Sequence, residues 1–301
     1  MHRKMLLSMI ATAVFAASPA LGQELTGTLK KIKDTGAITL GHRESSVPFS
    51  YYDDKQQVVG YAMDLCARIV DGVKNSLKLA TLETKLNPVT SATRIPLIAN
   101  GTVDLECGST TNNLERQKQV SFTITHFVTA NRFVSKKAAN LKTVDDLKGK
   151  TIVSTSGTTN IKQITEIGAQ KGLNLNILAA KDHAEPFLMV ETGRAAAFVM
   201  DDILLYSLVA GSKSPQDYVI SADALSVEPY GIMLHRDDTP FKKVVDEAMI
   251  ATYRSGAINA IYDKWFLKPI PPKGLNLNVP MSDAFKKVIA NPTDSGDPAV
   301  Y

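Results

Sequence analysis

VDLECGSTTNNLERQ, residues 103–117, carries a short apolar run, Val103 to Cys107, straight into a row of hydrogen-bonding side chains. Ser109, Thr110, Thr111, Asn112 and Asn113 follow one another, and Arg116 comes within a further helical turn. The first part reads as a buried strand. Ligands of open α/β sheets lie beyond the carboxyl ends of the strands. Hydroxyls followed by a planar guanidinium fork suit a carboxylate at such a place. The reading depends on whether the flanking chain builds that kind of sheet.

It has the right order. Upstream, AITLG (37–41) is a short strand, and 60–73 carries Ala62, Leu65, Cys66, Ile69, Val70 and Val73 at helical spacing. LETKLNPV (82–89) is extended, 93–100 is a short helix, and Gly101 ends it before VDLEC. A β-α-β order predicts a mainly parallel sheet with helices on its faces. The pattern restarts beyond residue 133. Strands are expected at 151–155, 173–179, 196–199 and 217–221, with helices at 161–168, 184–192 and 202–209. A strand at 230–235, a long amphipathic helix at 240–254 and a shorter one at 258–265 return to the first unit. An α/β chain of two lobes follows: 23–129 with 231–301, and 130–230. Two crossings, near 127–133 and 228–231, form a double hinge over a cleft.

The strand ends are polar in both lobes. Arg43 follows the first strand, Ser91 and Arg94 the second, and Ser109, Thr111 and Arg116 the third. In the second lobe stand Thr158 and Thr159 at a helix start, His183 in AKDH, and Asp201 after AAAFVM. Each has an ordinary reading. A lone arginine is commonly a solvated side chain, Thr158 or Asp201 caps a helix, and a histidine fills a structural role. Their shared placement is what points to a site. Three guanidiniums, a helix start with free N–H groups and one aspartate match a small ligand with two anionic groups and one cationic group.

Composition narrows the classes. The chain has 301 residues, 44% hydrophobic and 21% charged, enough for a sizeable core. A net charge of +4 with interspersed signs is too mild for a nucleic-acid partner. No phosphate loop, GxGxxG after a strand, HExxH or GxSxG occurs, the five histidines lack metal spacing, and no cofactor is called for. Residues 1–22 place Arg3 and Lys4 before an apolar run, Met5 to Ala17, and end in Ala20-Leu21-Gly22. That is the layout of a cleaved secretory signal peptide. A membrane anchor is the rival reading, and the run is shorter than the roughly 20 residues a span requires. An exported, soluble monomer is expected. Cys66 and Cys107 are the only cysteines, and export allows either a disulfide or two buried thiols.

GHRESSVPFSYYD (41–53), RIPL (94–97), GTVDLECGSTTNNLERQKQ (101–119), SGTT (156–159), AKDH (180–183) and WFLKPIPPKGLN (265–276) resemble the periplasmic solute-binding proteins of polar amino acid ABC importers. The resemblance spans essentially the whole chain after residue 22. Its ECGSTTNN and GHRESS blocks are those of the glutamate/aspartate-binding subgroup, whereas SGTT belongs to the wider fold. It implies the type II periplasmic-binding-protein fold, closing on one amino acid. It also implies roles: Arg116 with Ser109 and Thr111 on the α-carboxylate, Asp201 on the α-ammonium, and Arg43, Arg94 and Ser91 on an acidic side chain. Thr159, with Thr158 beside it, supplies a second-lobe hydroxyl, and His183 a further contact. The implied partner is the membrane permease of an ABC importer. The same fold also hosts exported dehydratase-like enzymes, for which Glu115 or His183 would be the acid, and a different polar amino acid is a further alternative.

Overall fold

The computed structural model describes residues 25–301, so the expected signal peptide at 1–22 lies outside the described residues. Helix α1 (Gly27–Thr35) buries Leu29 and Ile32 and ends on Gly36 at φ 66°. Strand β1 (Ala37–His42) leads into a small antiparallel sheet of β2 (Ser45–Ser46), β3 (Ser50–Tyr52) and β4 (Val58–Val59). Helix α2 (Tyr61–Ser76) buries the stripe Ala62, Leu65, Cys66, Ile69 and Val73 that its spacing foretells. Then come β5 (Glu83–Pro88), α3 (Arg94–Ala99), β6 (Leu105–Cys107) and β7 (Ser121–Phe122).

Strand β8 (Phe127–Lys136) carries the chain into the second lobe. There follow β9 (Thr151–Thr155), α4 (Thr159–Gln170), β10 (Asn176–Ala180), α5 (Ala184–Glu191), β11 (Ala197–Asp201), α6 (Asp202–Gly211) and β12 (Tyr218–Ile220). Strand β13 (Ser226–Tyr230) returns beside β8, pairing Glu228 with Thr129 and Tyr230 with Phe127. Strand β14 (Met233–Leu234), α7 (Thr239–Arg254), α8 (Ala257–Tyr262) and α9 (Asp283–Ala290) complete the first lobe and its tail.

Each lobe is built on one sheet with parallel strands at its heart. The first has the order β5-β1-β6-β14-β7, with β5, β1 and β6 parallel and β14 antiparallel to both neighbours. The second has the order β10-β9-β11-β8-β12, with β10, β9 and β11 parallel and β8 antiparallel. The antiparallel strands are those that carry the chain in and out of each lobe. The expected strand at 230–235 is instead two pieces. β13 ends at Tyr230, and Gly231 turns away with its N–H on the Thr110 carbonyl, 3.0 Å.

Three further features were open or absent in the sequence reading. Cys66 and Cys107 form a disulfide that ties α2 to the end of β6. The tail is folded: α9 buries Phe285 and Val288, and Asn112 Nδ2 donates to the Asp294 carbonyl at 2.8 Å. Phe49, Tyr61, Phe127, Tyr230 and Phe266 pack ring against ring where the crossing strands leave the first lobe. Among the described residues no helix is long and apolar enough to cross a membrane.

Candidate functional site

Six parallel strands point their carboxyl ends at one place. After β1 stands Arg43, after β5 Ser91 and Arg94, and after β6 Ser109, Thr111 and the single turn that starts at Arg116. From the other lobe come Thr158 and Thr159 after β9, His183 after β10 and Asp201 at the end of β11. Ser91, Arg94, Ser109, Thr111, Thr158, Thr159, His183 and Asp201 line one interlobe cavity of about 10 Å³. Arg43 and Arg116 reach its margin through their partners Ser91, Thr111 and Gly157. The structure therefore brings all ten sequence-derived candidates together. A space that small holds no amino acid, so entry requires the lobes to part.

The three guanidiniums are at most 7% exposed. Arg43 Nη2 donates to Ser91 Oγ at 2.9 Å. Arg94 Nη1 donates to the Ser109 carbonyl at 3.2 Å and to Thr110 Oγ1. Arg116 Nη1 donates to the Thr111 carbonyl at 2.9 Å, and Nη2 crosses the cleft to the Gly157 carbonyl at 3.2 Å. Burial, then mutual repulsion with Arg94, pushes Arg43 down to about 10 and Arg116 down to about 9. All stay charged at neutral pH. Arg43 Nη1, Arg94 Nε and Ser109 Oγ are buried with no hydrogen-bond partner. Orphaned buried donors are costly and rare, and three of them converging on one cleft mark a place for an acceptor.

Some candidates have their hydroxyls or rings already committed. Thr158 Oγ1 donates to the Thr155 carbonyl at 2.7 Å and caps α4 by accepting from Ile161 N at 3.3 Å. Its side chain is a helix cap first. Thr155 Oγ1 gives its one proton to the Asp182 carbonyl, 2.9 Å, and so accepts from His183 Nδ1 at 2.9 Å. That leaves His183 Nε2 as an acceptor facing Arg43 Nη2 at 3.5 Å across the cleft. Burial, followed by Arg43 and Arg94, holds His183 well below its usual pKa, so the ring is neutral. Here it steadies Arg43. Asp201 accepts from Asn160 Nδ2 at 2.7 Å and from the Tyr230 hydroxyl.

Two glycines let these groups meet. A Cβ on Gly108 would lie 2.3 Å from Glu106 Oε1 and 3.0 Å from Arg43 Cγ. Gly157 has φ +76°, and a Cβ there would lie 2.6 Å from Ala92 Cα in the other lobe. Only glycine allows that approach.

The strand ends alone offer three cations against one aspartate. That balance is corrected here by two fully buried carboxyl groups. Glu106 Oε1 lies 4.0 Å from Arg94 Nη1, and Glu106 Oε2 accepts from Thr110 Oγ1 at 2.6 Å. Glu228 accepts from Thr159 Oγ1 at 3.0 Å and from Gln163 Nε2 at 2.8 Å. Asn160, Met200 and Leu204 also line the cavity. An acidic residue inside the buried strand LEC was the one signal that pointed to Glu106. Glu115 is no acid of the cleft, since it is an exposed partner of Lys162 at the rim.

With six strand ends converging on a closed cleft, the class follows. The chain belongs to the bacterial extracellular solute-binding proteins, family 3, whose profile matches residues 38–268. It is a binding protein of transport, not an enzyme. Its similarity to particular members is high. The L-glutamate/L-aspartate-binding protein of Pseudomonas aeruginosa is 55% identical over 291 residues, 95% of this chain and 96% of that protein. The glutamate/aspartate import solute-binding protein of Escherichia coli is 47% identical over 278 residues, 92% of this chain and 91% of that protein. A solved structure of a variant of ArgBP from T. maritima superposes with a TM-score of 0.70 at 26% identity, covering 79% of this chain and 98% of that one.

Proposed function

We propose that the chain captures L-glutamate and L-aspartate in the interlobe cleft and delivers them to the membrane permease of an ABC importer by hinge closure. Arg116, with Ser109 and Thr111, takes the α-carboxylate, Asp201 the α-ammonium, and Arg43, Arg94 and Ser91 the side-chain carboxylate. Thr159 contacts the ligand from the second lobe, and His183 holds Arg43. The observation that carries the reading is the pair of buried, unpartnered guanidinium nitrogens, Arg43 Nη1 and Arg94 Nε, beside the unpartnered Ser109 hydroxyl. Glu106 offsets part of the charge of Arg94 and also acts on Arg43, yet Arg43 Nη1 and Arg94 Nε stay without an acceptor. An amide side chain brings no charge to it, so an acid is favoured. The names of the relatives that match along most of their length agree.

The working cycle uses two lobes, 23–129 with 231–301 and 130–230, as a monomer in the periplasm after removal of residues 1–22. Sheet membership supports the boundaries, since β8 and β13 are the strands shared by both crossings. Ligand contacts from both lobes favour the closed form, which a permease can read. Substitution separates the roles. Arg116→Ala removes binding of acids and amides alike. Arg43→Ala weakens glutamate about a hundredfold, the weight of a charged hydrogen-bonded pair, and leaves the weak binding of glutamine nearly unchanged. Equal losses for both ligands in Arg43→Ala would show that Arg43 does not read the side chain.

A further inference from the structure

We propose that Glu228 is a further specificity-determining residue of this site, which holds a proton on Asp201 until a ligand ammonium group takes its place. The inference rests on the reading of Asp201 as the ammonium seat. Glu228 is 1% exposed on the returning strand β13 and stands outside the set of ligand contacts proposed above. A chain of buried amides links it to Asp201. Asn160 Nδ2 donates to Asp201 Oδ1 at 2.7 Å and to Asn131 Oδ1 at 2.9 Å. Asn131 Nδ2 donates to Gln163 Oε1 at 2.6 Å, and Gln163 Nε2 to Glu228 Oε1 at 2.8 Å. Thr159, next to Asn160, donates to Glu228 Oε2. Every member sits on β8, β11, β13 or α4 of the second lobe, so the chain persists when the lobes part.

The groups facing Asp201 are Glu228 and Tyr230 on β13, Asn160 on α4, Asp202 on α6, and Arg94 and Arg116 from the first lobe. Burial and then the charge of Glu228 raise Asp201 to about 7, while Tyr230 and Asn160 oppose the rise. Two buried carboxyl groups near one another disfavour double ionisation. An ammonium group beside them reverses that, and the proton leaves Asp201 for the solvent. A dicarboxylate without an amine brings only negative charge and meets Glu228 unrelieved. Glu228 thus rejects such ligands while accepting amino acids.

The test uses glutamate and glutarate, its counterpart without the amine, on the full-length mature protein. Calorimetric titration in two buffers of different ionisation enthalpy at pH 6.5 reads affinity and proton release together. The wild type binds glutamate with net proton release. Glu228→Gln binds glutamate about tenfold more weakly, releases fewer protons, and binds glutarate as well as or better than the wild type does. Equal weakening of both ligands, or wild-type binding without proton release, would overturn the assignment. The second readout stands even where the variant does not fold. Failure of the wild type to bind glutamate at all would sink the proposed function instead.

Discussion

Asp201 is a buried carboxyl group at the end of β11 that meets no cation within hydrogen-bonding distance among the described residues. Its pKa is raised to about 7 by burial and by Glu228, against 3.8 for the free side chain. The unfolded chain therefore loses its proton at lower pH than the folded one. The native state binds more protons between about pH 4 and 7, and this residue lowers stability progressively as pH rises through that window. Asp201→Asn removes the penalty. Without ligand it should denature later than the wild type at pH 7.5, by on the order of 1–3 kcal/mol, with the gain shrinking toward pH 4. Denaturant titration at the two pH values checks this, and a variant less stable at pH 7.5 contradicts it. Amino acid binding should be lost at the same time. The sequence shows Asp201 and Arg116 because each stands free after a strand. It shows Glu106 only as an acid inside the short strand LEC, and it hides Glu228, which looks solvated in SVEPY until Thr159 and Gln163 of α4 cover it.

The elements were legible where periodicity was strong. The stripe of α2 and the strand TIVST lie where spacing places them, because helix and strand periods are local properties. The return strand β13 was not. SVEPY has a proline and an acid in five residues and reads as loop, yet β8 supplies its ladder and the Pro229 carbonyl accepts from Asn112 N at 2.7 Å. The pairing of Cys66 with Cys107 was equally out of reach, since it depends on α2 packing beside β6. That disulfide spans a sequence separation of 41 and holds the strand end that leads into Gly108–Asn113. Chain-entropy reasoning gives it about 4 kcal/mol. Cys66→Ser with Cys107→Ser should lower the unfolding free energy by about that amount and weaken ligand binding. Unfolding midpoints that do not move would show that the loop is held by packing alone.

At the scale of the whole molecule, the two sheets aim six strand ends at one cleft, and the crossing strands β8 and β13 join the lobes together with the bridge of Thr111 to Tyr230. Cross-cleft contacts already join the lobes: Arg116 to Gly157, Arg43 to His183, and Thr111 to Thr159 at 3.5 Å. The rim pair of Lys162 with Glu115 adds little, since both are exposed. On the proposed reading, ligands are told apart by whether they bring an anionic acceptor to the unpartnered nitrogens of Arg43 and Arg94. Calorimetric titration of the mature protein with glutamate, aspartate, glutamine and asparagine at pH 7.5 tests that most directly. Both acids should bind at least about a hundredfold more tightly than their amides, the cost of leaving a buried guanidinium without its anion. Glutamine bound as tightly as glutamate, or more tightly, would contradict the account.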